Sequence, residues 1–122
     1  MTVFHILHIE DNPDCNFLLT ETFRKYQHIQ IEWGCTRSVV MEQLTSANPP
    51  YDLIICDGEI PGWSNHFDEI LDNTKGTPVI IYSAFGRRRM WEFLELGAHK
   101  VFSKGREDHA LMVEYIKSLA IS

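Results

Sequence analysis

Little in this chain could serve a membrane, an export pathway or a disulfide frame. No apolar run approaches the about 18 residues that cross a bilayer. The N-terminal stretch MTVFHILHIED lacks a basic n-region and a small-residue cleavage site, so neither export nor a membrane partner is expected. The three cysteines, Cys15, Cys35 and Cys56, are odd in number, widely spaced and set in apolar or helical contexts. That pattern matches neither a disulfide frame nor a zinc site and fits a reducing, cytoplasmic setting. Positive charge is scarce: 11 Lys and Arg stand against 17 Asp and Glu, a formal net charge of -6. The sign opposes a phosphate backbone, which removes direct nucleic-acid binding from the expected functions.

What is present reads as one globular domain over residues 1–122, with 44% hydrophobic and 23% charged residues and no linker, repeat or biased segment. If the polypeptide is complete, it works by contacting other proteins. Apolar runs of strand length alternate with segments of helical period, the pattern of a parallel α/β sheet. The strands are expected at Val3 to Ile9, Ile29 to Trp33, Tyr51 to Cys56, Pro78 to Tyr82 and Lys100 to Phe102. LIIC and VIIY are continuous rather than alternating, so both faces of those strands should be buried. Between the first two strands, Cys15, Leu18, Leu19, Thr22, Phe23 and Tyr26 form one helical stripe, with Pro13 in its first turn. Further helices are expected at about Arg37 to Ser46, Asn65 to Asp72, a fourth carrying Met90, Phe93 and Leu94 and closing at Gly97, and Arg106 to Leu119. The fold class that follows is α/β, a five-stranded parallel sheet of order 2-1-3-4-5 with helices on both faces, flavodoxin-like.

Ligands of such sheets bind beyond the carboxyl ends of the strands. Those ends carry Glu10-Asp11, Asp57, Ser83 and Ser103-Lys104. Carboxylates converging on one crevice repel unless a cation holds them, and Mg²⁺ suits an all-oxygen donor set better than zinc does. Lys104 and the Ser83 hydroxyl are then suited to phosphoryl oxygens, and Asp57 is the candidate nucleophile, since a carboxylate can form an acyl phosphate.

These residues, in the segments HILHIEDNP, YDLIICDGEIPG, PVIIYSA and ELGAHKVFSKG, resemble the receiver domains of two-component response regulators over the whole chain. The resemblance implies that Glu10 and Asp11 bind Mg²⁺, that Asp57 is the phosphoacceptor, with Pro61 four residues on, and that Glu59 gives a backbone carbonyl to the metal. Ser83 matches the hydroxyl after the fourth strand and Lys104 the lysine after the fifth. It implies a histidine kinase or histidine phosphotransfer protein as donor and a downstream protein effector. The effector would read the face formed by the fourth helix, fifth strand and fifth helix, which also offers a homodimer contact. The domain would catalyse only its own phosphotransfer and dephosphorylation, and so not be an enzyme with a separate substrate. Three positions depart from the family pattern. Gly105 stands where proline usually follows the lysine, Val101 occupies the usual aromatic switch position, and the third helix is about a turn short.

Other readings sit beside these. A phosphorylation-independent interaction module on the same fold is the alternative favoured by Val101 and Gly105. A haloacid-dehalogenase-type phosphohydrolase would want an aspartate where Glu59 stands, and the acids at Glu10-Asp11 would repel a flavin phosphate. Ser83 could also cap the fourth helix, and all six histidines read as structural. Arg87-Arg88-Arg89 is placed in the first turn of the fourth helix, as a solvated face or a patch for an acidic partner. Trp63 suits the core and an exposed contact equally, Cys56 is an inert buried thiol, and Phe85 is placed to cover an acyl phosphate against water.

Overall fold

The computed structural model describes residues 2–121. Strands and helices alternate along the chain: β1 (Phe4–Ile9), α1 (Pro13–Phe23), β2 (Ile29–Gly34), α2 (Arg37–Ser46), β3 (Leu53–Cys56), α3 (His66–Leu71), β4 (Val79–Ser83), α4 (Met90–Leu96), β5 (Lys100–Ser103) and α5 (Arg106–Ala120). The sheet order is β2-β1-β3-β4-β5 and every pairing is parallel, as the alternation requires. This is the flavodoxin-like arrangement the sequence implies.

Side-chain parity divides the core. Leu7, Ile9, Ile54, Cys56, Val79 and Ile81 project to one face, where Val40 and Leu44 of α2, Phe67 and Ile70 of α3 and Phe93 of α4 cover them. Their strand neighbours Ile6, Leu53, Ile55, Ile80 and Tyr82 project to the other, under Leu19 and Phe23 of α1 and Met112 and Ile116 of α5. β3 and β4 are buried along their whole length, the reason their sequences run continuously apolar.

Local chemistry sets the helix starts. Asn12 Oδ1 accepts from the Asp14 and Cys15 amides ahead of Pro13, and Thr36 Oγ1 accepts from the Val39 amide. Gly97, at φ 123°, ends α4 in a conformation that favours glycine. Three expectations are corrected, and the open choice for Trp63 is decided. Leu18 is 57% exposed, because the buried face of α1 is carried by Leu19 and Phe23. Arg87, Arg88 and Arg89 precede α4, whose first residue is Met90. Ser83 does not cap α4, which has Arg89 at its N-cap and no side-chain cap bond. Trp63 belongs to the core, where its indole Nε1–H donates to Glu69 Oε1 at 2.8 Å. α3 is six residues long, shorter still than expected. Among the described residues no helix is long and apolar enough to cross a membrane.

Candidate phosphoacceptor site

The site is assembled by extending the sheet ladder one rung past the strands. The Glu10 amide donates to Gly34 O at 3.0 Å, the Asp57 amide to Ile9 O at 3.0 Å and the Lys104 amide to Ser83 O at 2.8 Å. The same parallel pairing that orders the strands therefore places these side chains around one cavity of about 230 Å³. It is lined by Glu10, Asp11, Asp57, Glu59, Ser83 and Lys104, all six residues singled out from the sequence, and by Phe85.

One carboxylate oxygen each from Glu10, Asp11 and Asp57 lies within 4.8 Å of the others. Lys104 Nζ reaches into the group, 2.5 Å from Glu10 Oε1 and 3.4 Å from Asp57 Oδ2. Glu10 is almost fully buried, and burial, reinforced by the charge of Asp57 against the pull of Lys104, pushes its carboxyl up to about 7. Burial opposes the charge on Lys104, but the Glu10 bond and the Asp57 charge more than offset it and hold the ammonium firmly protonated. When all three are ionised, three carboxylates against one ammonium leave two negative charges, which one divalent cation would neutralise. With oxygen donors only, the set fits Mg²⁺.

Ser83 is buried, and its Oγ accepts from the Phe85 amide at 3.3 Å. It sits against the main chain just past Asp57: a Cβ on Gly58 would lie 2.7 Å from Ser83 Oγ and 2.8 Å from Phe93 Cζ, so only glycine leaves room there. The β4–α4 turn is strapped to β5, with Gly86 packed on the Phe102 carbonyl and the Arg87 amide donating to Ser103 Oγ at 2.9 Å. Val101 packs against the α2–α3–α4 side, and Phe102 points the other way onto Tyr115. The Lys104–Gly105 peptide is trans.

Three contacts escaped the sequence. His66 is buried, with Nε2 2.8 Å from Asp57 O; a carbonyl only accepts, so Nε2 carries the proton. Trp33 Nε1 donates to Glu10 O at 2.7 Å. Cys15 Sγ lies 3.6 Å from Lys104 Nζ, and burial pushes its thiol up. No local pattern encodes these pairings, since each joins residues from separate elements. Cys56 is buried as expected, with its thiol pushed well above the usual range by burial.

Comparisons with known proteins agree with this geometry. The family model of the response regulator receiver domain matches residues 6–117. Among solved structures, the chain is similar to the response regulator protein TrrA from Thermotoga maritima in complex with Mg²⁺-BeF, at 26% identity and TM-score 0.74, covering 98% of this chain and 99% of that one. It resembles the receiver domain of the Francisella response regulator 1452 at 19% identity and TM-score 0.76, covering 95% of each chain. It also resembles a chain of the complex between the P1 domain of CheA3 and CheY6 from R. sphaeroides, at 14% identity and TM-score 0.79, covering both chains fully. No curated protein sequence matches.

Proposed function

Since the chain belongs to the response regulator receiver domain family of two-component signalling, we propose that it is a phosphoacceptor switch charged on Asp57 by a histidine kinase or histidine phosphotransfer protein. The observation that carries this reading is the placement of Glu10, Asp11, Asp57, Ser83 and Lys104 around one cavity at the carboxyl ends of the strands. An Asp57 carboxylate oxygen attacks the phosphorus of the donor phosphohistidine. The new O–P bond forms as the P–N bond breaks, and its electron pair leaves with the imidazole nitrogen. The carboxylates of Glu10, Asp11 and Asp57 and the main-chain oxygen of Glu59 would hold Mg²⁺, which would supply positive charge to the phosphoryl oxygens.

Lys104 adds a fixed ammonium 3.4 Å from Asp57 and keeps it charged through Glu10. Ser83, whose hydroxyl oxygen is already fixed by the Phe85 amide, donates its proton toward the phosphoryl group. Because the turn after Ser83 is strapped to β5 at Gly86 and Arg87, a shift of Ser83 alters the face of α4, β5 and α5. A downstream protein effector or a second copy of the chain reads that face. The domain catalyses only its own phosphotransfer and dephosphorylation. Three free thiols fit a cytoplasmic location.

The test is intact mass after treatment with acetyl phosphate and Mg²⁺, beside an Asp57→Asn protein and a chelator control. One added phosphoryl group, lost in both controls, is expected. No adduct from acetyl phosphate or from a panel of histidine kinases, with Mg²⁺ still bound, would replace this reading with a phosphorylation-independent interaction module.

A further inference from the structure

The two shortest helices of the fold, α3 and α4 with six and seven residues, leave a groove between them. Its volume is about 480 Å³, and its walls include Trp63, Phe67, Phe93 and Leu96, the last 46% exposed. It runs on over the first turn of α3 into a hollow of about 510 Å³ beside Asp68 and Asp72. The rim is acidic and only partly compensated. Arg89 is committed to Glu92, at 2.7 and 3.0 Å, with its guanidinium 4.6 Å from the Phe93 ring centre. Glu69 is committed to Arg37. Glu59, at the other end of the groove, feels the charge of Arg89, whereas among the described residues Asp68 and Asp72 have no ion-pair partner and are exposed where the groove meets the hollow.

We infer that this groove docks a partner-protein segment that places an apolar side chain between α3 and α4 and a lysine or arginine against Asp68 and Asp72. Charge complementarity selects the occupant: an acidic segment would be repelled here. Docking is linked to the state of Asp57, a part of the inference that rests on the phosphoacceptor reading. Phe93 forms a wall of the groove and also packs on the main chain at Gly58, between Asp57 and Glu59, next to Ser83. Glu59 lines both this groove and the phosphoacceptor cavity. A shift of Ser83 or of the Asp57–Glu59 main chain therefore moves a groove wall, and by reciprocity an occupied groove biases the charging of Asp57.

The experiment selects binders from a displayed library of random peptides of about 12 residues against the whole chain, treated with Mg²⁺ and beryllium fluoride as the phosphoryl mimic. Enriched peptides should combine Lys or Arg with apolar residues. Their affinity should fall about tenfold on Leu96→Glu and on Asp68→Lys. It should hold on Leu111→Glu, at an exposed α5 position, and be several-fold weaker for the untreated protein. Failure to enrich any peptide, acidic peptides, or loss on Leu111→Glu but not on Leu96→Glu would overturn the docking site. Trp33, whose indole N–H donates to Glu10 O, separates the two layers when it is the sole tryptophan: in a Trp63→Phe, Trp91→Phe protein its fluorescence, measured before peptide is added, is the readout for loading of the cavity. Groove binding without any Trp33 response, and without an adduct from acetyl phosphate or the kinase panel, would leave the docking site standing and sink the phosphoacceptor reading. A Trp33 response with unchanged peptide affinity would sink the linkage alone.

Discussion

His66 donates from Nε2 to the main-chain oxygen of Asp57 at 2.8 Å, tying the first residue of α3 to the end of β3 from inside the core. The Cys56 thiol, 3.2 Å from the same oxygen, is a weaker second donor. The bond fixes both ends of the segment that carries Gly58 and Glu59, so His66 acts on the reacting carboxylate only through the main chain. His66→Phe should cost about 1–3 kcal/mol of stability by leaving the carbonyl poorly satisfied. It should also slow formation of the acetyl phosphate adduct, while His66→Gln, which keeps a donor, recovers part of both. Denaturant titration together with adduct kinetics checks this, and a Phe variant as stable and as fast as the parent would rule it out.

Phe85 lines the phosphoacceptor cavity two residues beyond Ser83 and remains 44% exposed, at the cavity mouth rather than in the core. On the phosphoacceptor reading, the ring there would limit the approach of water to a phosphorylated Asp57. Phe85→Ala should hydrolyse its phosphoryl group several-fold faster with little change in melting temperature. The half-life of the adduct by intact mass measures it; an unchanged half-life removes the role.

Lys104 competes with any cation for the same carboxylates, standing 2.5 Å from Glu10 Oε1 and 3.4 Å from Asp57 Oδ2. Lys104→Met takes one positive charge out of a partly buried cluster, so Mg²⁺ should bind several-fold more tightly. Phosphorylation should nevertheless slow, because the ammonium is lost from the phosphoryl oxygens. Calorimetric titration with Mg²⁺ reads the first effect. Equal or weaker Mg²⁺ binding by the variant would mean that Lys104 does not oppose the metal.

His109 links three elements away from the cavity: Nδ1 accepts from the Tyr82 hydroxyl at 2.9 Å and Nε2 faces Thr22 Oγ1 at 3.3 Å. Burial holds its imidazole below the ordinary 6.5. As pH falls through 6.5, the unfolded chain binds a proton that the native imidazole does not, so this group's contribution to stability is lost on acidification and is intact above neutrality. His109→Gln lacks the titration, and its stability deficit relative to the parent should shrink between pH 7.5 and 5.5. A deficit that stays constant or grows over that range would contradict the assignment.

Much of this was legible in the sequence because side-chain direction repeats every two residues in a strand and every 3.6 in a helix. LIIC and VIIY announced strands buried on both faces, and Asn48-Pro49-Pro50 closed a helix whose bounds, Arg37–Ser46, were read directly. The candidate site followed because the strand ends of a parallel sheet share one edge, so polar residues after successive apolar runs must converge.

Periodicity does not say how one element rests on another. Leu18 belongs to the same apolar stripe as Leu19, but the stripe is wider than the face of α1 that packs, so Leu19 is buried and Leu18 exposed. Arg87 to Arg89 carry no helix-breaking signal; α4 starts late because Gly86 must lie against the Phe102 carbonyl and Arg87 must bond Ser103. Trp63 became core because Glu69, six residues on, turned back to accept its N–H.

The sequence by itself determined the order of strands and helices, the parallel sheet and the identity of the residues at its carboxyl edge, since these depend on local direction and chain connectivity. Tertiary structure alone decided that Lys104 pairs with Glu10, that His66 holds the carbonyl of Asp57, and that two short helices leave an acidic, apolar-walled groove. Those outcomes depend on distances of a few ångströms between segments far apart in the chain, which packing sets and no local pattern records.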